Sequence, residues 1–189
     1  MAISRSRRRD RLTPVSTAAV SLPPFQRFLD AHRAEVWRFL VASVGPSEAD
    51  DCFQETFIAA LRAYPRLPAD SNLRAWVLTI AHHKAVDAHR ARRRRPLPSE
   101  AVEGSPDAGH ATARSNPGPP HAAAPAELPD GELWGAVREL PPRQRAAVLL
   151  RYLGDLSHAE AAAAIGCSEE AARRSLHEAL KRLREVWRP

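Results

Sequence analysis

Apolar positions recur at helical spacing through two stretches, about 25–95 and 131–189. In the first, Phe25, Phe28, Leu29, Val36, Leu40 and Val44 mark one face of a helix that Gly45-Pro46 ends. Ser47, with Asp50 three residues on, predicts a capping-box-like start for the next helix. Cys52/Phe53, Thr56/Phe57, Ala60/Leu61 and Tyr64 form its inner stripe, and Pro65 and Pro68 close it. Asp70 or Ser71 is expected to cap a third helix with Leu73, Trp76, Val77 and Ile80 facing inward. That helix runs out through His89 and Arg90 into Arg92-Arg93-Arg94-Arg95, and Pro96 stops it. Trp76 shares the stripe of Leu73 and Ile80, so it reads as core and not as a stacking platform for bases.

The second stretch predicts four shorter helices. Leu133, Trp134, Val137 and Leu140 line the first. Pro141-Pro142 suits a helix start, Val148, Leu149, Leu150, Tyr152 and Leu153 supply its apolar face, and Gly154 ends it. Ser157-His158-Ala159-Glu160 is a capping box opening an alanine-rich helix, Ala159 to Ile165. Gly166-Cys167 makes a turn and Ser168 caps the last helix, on which Ala172, Leu176, Ala179, Leu183 and Trp187 face inward. The fold class expected is all-α: two small helical domains joined by a flexible linker.

Composition sharpens this picture. Thirty-five of 189 residues are alanine, which buries little surface, so two small cores fit better than one large one. Eight of the 17 prolines fall in residues 96–130, which cannot bury enough surface to order themselves and read as a Pro/Ala-rich linker. Residues 1–24, with five arginines, read as a disordered basic tail. Its Ser4-Arg5-Ser6-Arg7-Arg8-Arg9 run resembles a twin-arginine signal, but the following segment, Leu12 to Leu22, is short, Ser/Thr-rich and broken by Pro14, so an export signal is rejected. Apolar runs fall short of the ~20 residues of a membrane helix, so no membrane insertion is expected. Cys52 and Cys167 form no paired motif, which suits a reducing cytoplasm.

The charge is segregated. Net charge is −3 over residues 25–61, +7 over 62–95, −4 over 96–130 and +2 over 131–189. A +7 segment is a plausible footprint for a polyphosphate backbone. Near the carboxyl end, a short helix, a Gly-containing turn and a longer helix give the helix-turn-helix layout. The second of these helices would enter the major groove, presenting Glu169, Glu170, Arg173, Arg174, His177, Glu178 and Lys181 after Ser168. Arginine reads guanine bidentately, and glutamate accepts from cytosine.

Here the chain resembles a family. Leu140-Pro141-Pro142-Arg143-Gln144-Arg145 through Tyr152, with Leu156-Ser157-His158-Ala159-Glu160, is similar to region 4 of bacterial RNA polymerase sigma factors. Ala49-Asp50-Asp51-Cys52-Phe53-Gln54-Glu55-Thr56-Phe57 and Leu73-Arg74-Ala75-Trp76-Val77-Leu78 resemble region 2. Two such domains with only a linker between them resemble the extracytoplasmic-function (ECF) group of the sigma-70 family. The resemblance implies an alternative sigma factor that binds core polymerase at its β′ clamp and β flap, recognises −10 and −35 promoter elements and promotes initiation. It implies docking on the clamp by Asp51, Gln54 and Glu55, which share one helix face. It implies −10 contacts by Arg74, His82, His83, Lys84, Asp87 and Arg90, with Arg92, Arg93, Arg94 and Arg95 on phosphates. An anti-sigma factor is a further partner of the family. The chain departs from the common pattern at His82-His83, where many members have Arg-Asn. It departs again at Glu170-Ala171-Ala172 and Glu178, which place acids on the recognition helix where Gly-Thr-Val and Arg are common.

Two rival classes are weaker. An enzyme or metal site would rest on His82, His83, Asp87 and His89, but no third ligand joins His83 and Asp87 on their face, so no catalytic residue, metal or cofactor is expected. A helix-turn-helix regulator acting without a sigma role would account for the second domain. It would leave the Asp51/Gln54/Glu55 face and the third helix without a purpose.

Overall fold

A computed structural model describes residues 21–94 and 131–186, and every regular element among them is helical. The first half holds α1 (Phe25–Val44), α2 (Pro46–Ala63), a 3-10 turn (Tyr64–Arg66) and α3 (Leu73–Arg94). The second holds α4 (Gly131–Glu139), α5 (Pro142–Val148) running into a π-helical turn (Leu149–Leu153), α6 (His158–Ile165) and α7 (Glu169–Val186). Arg95, Trp187, residues 1–20 of the amino-terminal tail and the linker, residues 96–130, lie outside the described residues.

Helices α1, α2 and α3 pack on one another around an aromatic cluster. Phe28 lies 5.1 Å from Tyr64, 5.7 Å from Trp76 and 6.3 Å from Phe57, ring centre to ring centre. Trp76 is therefore core. The Tyr64 hydroxyl donates to the Pro23 carbonyl at 2.7 Å, tying the chain entering α1 to the end of α2.

Two helix starts differ from the sequence reading. Gly45, at φ +90°, is the N-cap of α2 and Pro46 its first residue, so Ser47 lies inside the helix. Proline's fixed φ and missing donor favour that position over a serine cap one residue later. At α3, neither Asp70 nor Ser71 caps: the Asn72 side chain accepts from Ala75 N at 3.1 Å. The capping box at α6 is as read, with Glu160 N donating to Ser157 Oγ at 3.2 Å and Ser157 N to Glu160 Oε2 at 2.8 Å. Gly166 takes the left-handed conformation that ends α6, and Ser168 Oγ accepts from Ala171 N to cap α7.

Two residues read as inward point out. Leu61 is 54% exposed and Tyr152 61% exposed. Leu61 sits at the margin of a stripe that Ala60 and Phe57 already fill. Tyr152 is in the π-helical turn, whose extra residue per turn rotates the face away from that of α5.

The two cores expected from composition are joined. Leu149, Leu150, Leu156, Ala161, Ala164 and Val137 of the second half belong to the same buried cluster as Phe28, Val36, Val77 and Leu78 of the first. A smaller cluster of Leu140, Val148, Leu176 and Ala179 serves the second half alone. Helix α6 lies against α3, and the π-helical turn and α4 lie against α1. At the joint Gly154 is obligatory: a Cβ there would stand 2.7 Å from the Leu150 carbonyl oxygen and 2.8 Å from Leu78 Cδ1. Burial of one leucine side chain is worth about 1.5–3 kcal/mol, against ~0–1 for an exposed ion pair, so the joint is apolar first and polar second.

Candidate nucleic-acid interface

Three charged faces follow from this arrangement. On α2, Asp51, Gln54 and Glu55 are all exposed and project together, while Cys52, Thr56 and Phe57 turn inward. The Gln54 amide donates to Asp50 at 3.1 Å, and Lys84 Nζ of α3 lies 3.0 Å from Glu55. The acidic α2 face is thereby linked to the basic helix beside it. Cys52 beneath it has its thiol pushed up to about 11 by burial and by Glu55, Glu48 and Asp51, so it stays protonated. Both cysteines are free.

On α3 the nine described positions expected to meet the −10 element do not form one face. His83, Asp87, Arg90, Arg92, Arg93 and Arg94 are exposed. Arg90 pairs loosely with Asp87 at 3.7 Å and Arg92 with Glu48 at 3.9 Å. Arg74 is turned to internal work. Its Nε donates to Glu35 at 2.6 Å and its Nη1 to Asp155 of the second half at 3.4 Å. Burial raises the Glu35 carboxyl, but hydrogen bonds from His32 and Arg74 and their charges outweigh it and hold Glu35 below its usual range. His82 is 8% exposed and faces the second half, and burial with the neighbouring His83 brings its imidazole down to about 4. It is neutral at physiological pH.

On α7, Ser168 is spent as the cap, and Glu169, Glu170, Arg173, Arg174, His177, Glu178 and Lys181 form one exposed face opposite Ala172, Leu176 and Ala179. Each arginine is tethered to a glutamate one turn back, Arg173 to Glu169 and Arg174 to Glu170, both at 2.5 Å. These pairs lower the local charge and orient the guanidiniums along the helix.

The sequence reading missed polar groups at the joint. Arg145 Nη1 donates to the Ser43 carbonyl at 3.0 Å and to His89 Nε2 at 2.7 Å, and Nη2 donates to the Leu140 carbonyl at 3.1 Å. His89 is held below its ordinary range by burial and by Arg145's charge, against a hydrogen bond to Ser43, and its Nε2 lies within reach of both Arg145 Nη1 and the Ser43 carbonyl, the latter at 3.2 Å. Asn72 Nδ2 donates to Glu160 at 2.5 Å across the same joint. Among the described residues no group of three or more metal-ligating side chains occurs, and no helix is long and apolar enough to cross a membrane.

The comparisons agree with this layout. Residues 28–95 match the family model of Sigma-70 region 2, and residues 130–183 that of Sigma-70, region 4. The ECF RNA polymerase sigma factor SigC of Mycobacterium tuberculosis is 36% identical over 142 residues, 75% of this chain and 71% of the relative. SigD of the same organism is 35% identical over 164 residues, covering 83% and 74%. SigX of Bacillus subtilis is 27% identical over 162 residues, covering 85% and 82%. Among solved structures, the sigma factor RpoE from Bartonella quintana, in complex with the anti-sigma factor NepR, shares the fold. Its TM-score is 0.66 at 24% identity over 86% of this chain and 95% of that one. With both regions matched in order and relatives of 35% and 36% identity, this chain belongs to the sigma-70 family, as an alternative sigma factor of the extracytoplasmic-function group.

Proposed function

We propose that the protein docks on core RNA polymerase through Asp51, Gln54 and Glu55, and contacts the −35 element through the exposed face of α7 and the −10 element through α3. The cytoplasm is where it acts, and it performs no covalent chemistry. The observation that carries this reading is the pairing, on one chain, of an open acidic face on α2 with an open helix-turn-helix face on α7. An acidic face meeting a basic partner steers association and fixes register. Residues Arg92, Arg93 and Arg94 suit phosphates, giving salt-sensitive affinity. A −10 contact by His82 requires its surroundings to open, because His82 is covered in the arrangement described.

Reconstitution with core polymerase and genomic DNA, followed by transcript mapping, tests the reading. Transcripts sharing a two-part upstream sequence are expected. Binding to DNA as a dimer without polymerase would instead favour an ordinary regulator. Asp51→Arg is expected to weaken core binding in a titration while leaving the helical signal of the protein intact. Unchanged core affinity would remove the α2 face from the reading. An anti-sigma protein belongs to the same reading, and a co-purifying protein that inhibits these transcripts would be one.

A further inference from the structure

A cavity of about 1010 Å³ lies between the two halves, bounded by the α1–α2 corner, the later turns of α3, the end of α4 and the start of α5. That is the size of a pocket for a substantial small molecule. Its lining carries six arginines: Arg90, Arg92 and Arg93 from the first half and Arg138, Arg143 and Arg145 from the second. Against them stands one lining carboxylate, Glu139, with Glu48 behind Arg92. Arg90 has Asp87 and Arg92 has Glu48. Among the described residues no carboxylate lies within ion-pair range of Arg93, Arg138, Arg143 or Arg145.

Arg145 is the sharpest case. It is half-buried, its hydrogen bonds go only to neutral acceptors, and its Nε is buried without a partner. A guanidinium withdrawn from water without an ion-pair partner is costly, and the half-buried Arg138 and the exposed Arg93 and Arg143 around the same cavity repel it further. At Arg145 the charge of Glu139 offsets part of this, but burial and the neighbouring Arg138 outweigh it. Charge density of this kind matches a chain of phosphoryl groups better than a single carboxylate, because guanidinium forks bind phosphate oxygens in pairs.

We propose that this cavity binds a small multivalent phosphate anion, a nucleoside polyphosphate or a free polyphosphate, with Arg145 as its anchor and arginines of both halves closing on it. Because the lining comes from both halves, such a ligand binds the joined arrangement and opposes its opening. The inference stands apart from the promoter reading, since neither polymerase nor promoter enters its test. Duplex DNA is the competing occupant, but the cavity lies between two packed halves and not along an open face.

The test is titration calorimetry of the full chain with inorganic tripolyphosphate and, separately, with ATP, at constant ionic strength. One saturable site per chain is expected. Arg145→Gln is expected to weaken binding at least tenfold. Arg143→Gln, an exposed lining position whose loss leaves the fold intact, is expected to weaken it several-fold. The charge-matched control Arg27→Gln, at an exposed arginine outside the cavity, stays within twofold of the wild type. ATP binding tighter than tripolyphosphate identifies a nucleotide as the ligand class, and equal affinity identifies the phosphate chain alone. No binding at millimolar probe, several equivalents bound, or equal loss in the lining and control variants overturns the proposal. A short random-sequence duplex that loses more affinity in Arg143→Gln than tripolyphosphate does also overturns it, by making the cavity a nucleic-acid surface.

Discussion

Helices α3 and α7 are both long, both rich in charge and both expected to meet DNA, yet the fold treats them oppositely. Helix α7 buries Ala172, Leu176 and Ala179 and leaves its whole charged face in solvent. Helix α3 is flanked on two sides: it packs against α1 and α2 of the first half and α6 of the second, with Leu78 set beside Gly154 and His82 lining the cavity between the halves. One helix therefore presents its side chains ready for use, and the other has part of its polar set committed to holding the molecule together. Residue type alone does not distinguish them. What separates them is whether a second apolar surface competes for the same face.

The largest effect that would sharpen this contrast is on stability. Leu78→Ala on α3 is expected to cost about 2–5 kcal/mol in chemical denaturation, whereas Arg174→Ala on α7 stays within ~0.5. A loss under 1 kcal/mol at Leu78 would mean that α3 is as open as α7. The second is on pH. His82 is neutral in the fold, so the unfolded chain takes up protons first as pH falls below its ordinary 6.5, and stability drops until about 4 is passed. Between pH 7 and 5 the loss is roughly 2 kcal/mol. His82→Gln flattens that limb of the melting profile; an unchanged slope would place His82 in solvent.

The third concerns function. Arg173→Ala or Arg174→Ala is expected to lower promoter affinity by ~1–3 kcal/mol where the arginine reads a base, and to relax selectivity at that position. Arg93→Ala on α3 should instead weaken all sequences alike and reduce the salt slope by about one. Identical salt and sequence responses in these variants would erase the distinction. The smallest is Ser157→Ala, which removes the cap of α6 and is expected to cost ~1 kcal/mol, read as a lower melting temperature.

Much of this was legible in the sequence where one interaction dominates. The box at Ser157 and Glu160 needs only neighbours within a turn, and it formed. The stripe of Phe28, Val36 and Leu40 needs only a period of 3.6, and it is buried. Ser47 and Asp70 were misread because cap preference competes with the stronger backbone constraint of Pro46 and with Asn72. Tyr152 was misread because a π-helical turn breaks the period on which the stripe depends. Contact between the halves was not legible at all. Leu78 and Leu150 satisfy any apolar neighbour, and no local pattern says that the neighbour lies 72 positions away on another helix pair. The charged faces of α2 and α7 could be read because each sits opposite an unambiguous stripe, whereas Arg145 could not, its partners being carbonyls and an imidazole.

Gly154 ties two tasks that genetics would like to separate. A methyl group there collides with the Leu150 carbonyl of its own half and with Leu78 of the other. Trimming Leu78 relieves the second collision but leaves the first, which is against backbone. No second-site change at the joint alone should therefore rescue Gly154→Ala, and a screen for variants that open the molecule while sparing its folding will not find them at this position. It will find them on the side chains around it, where one half can be altered without the other.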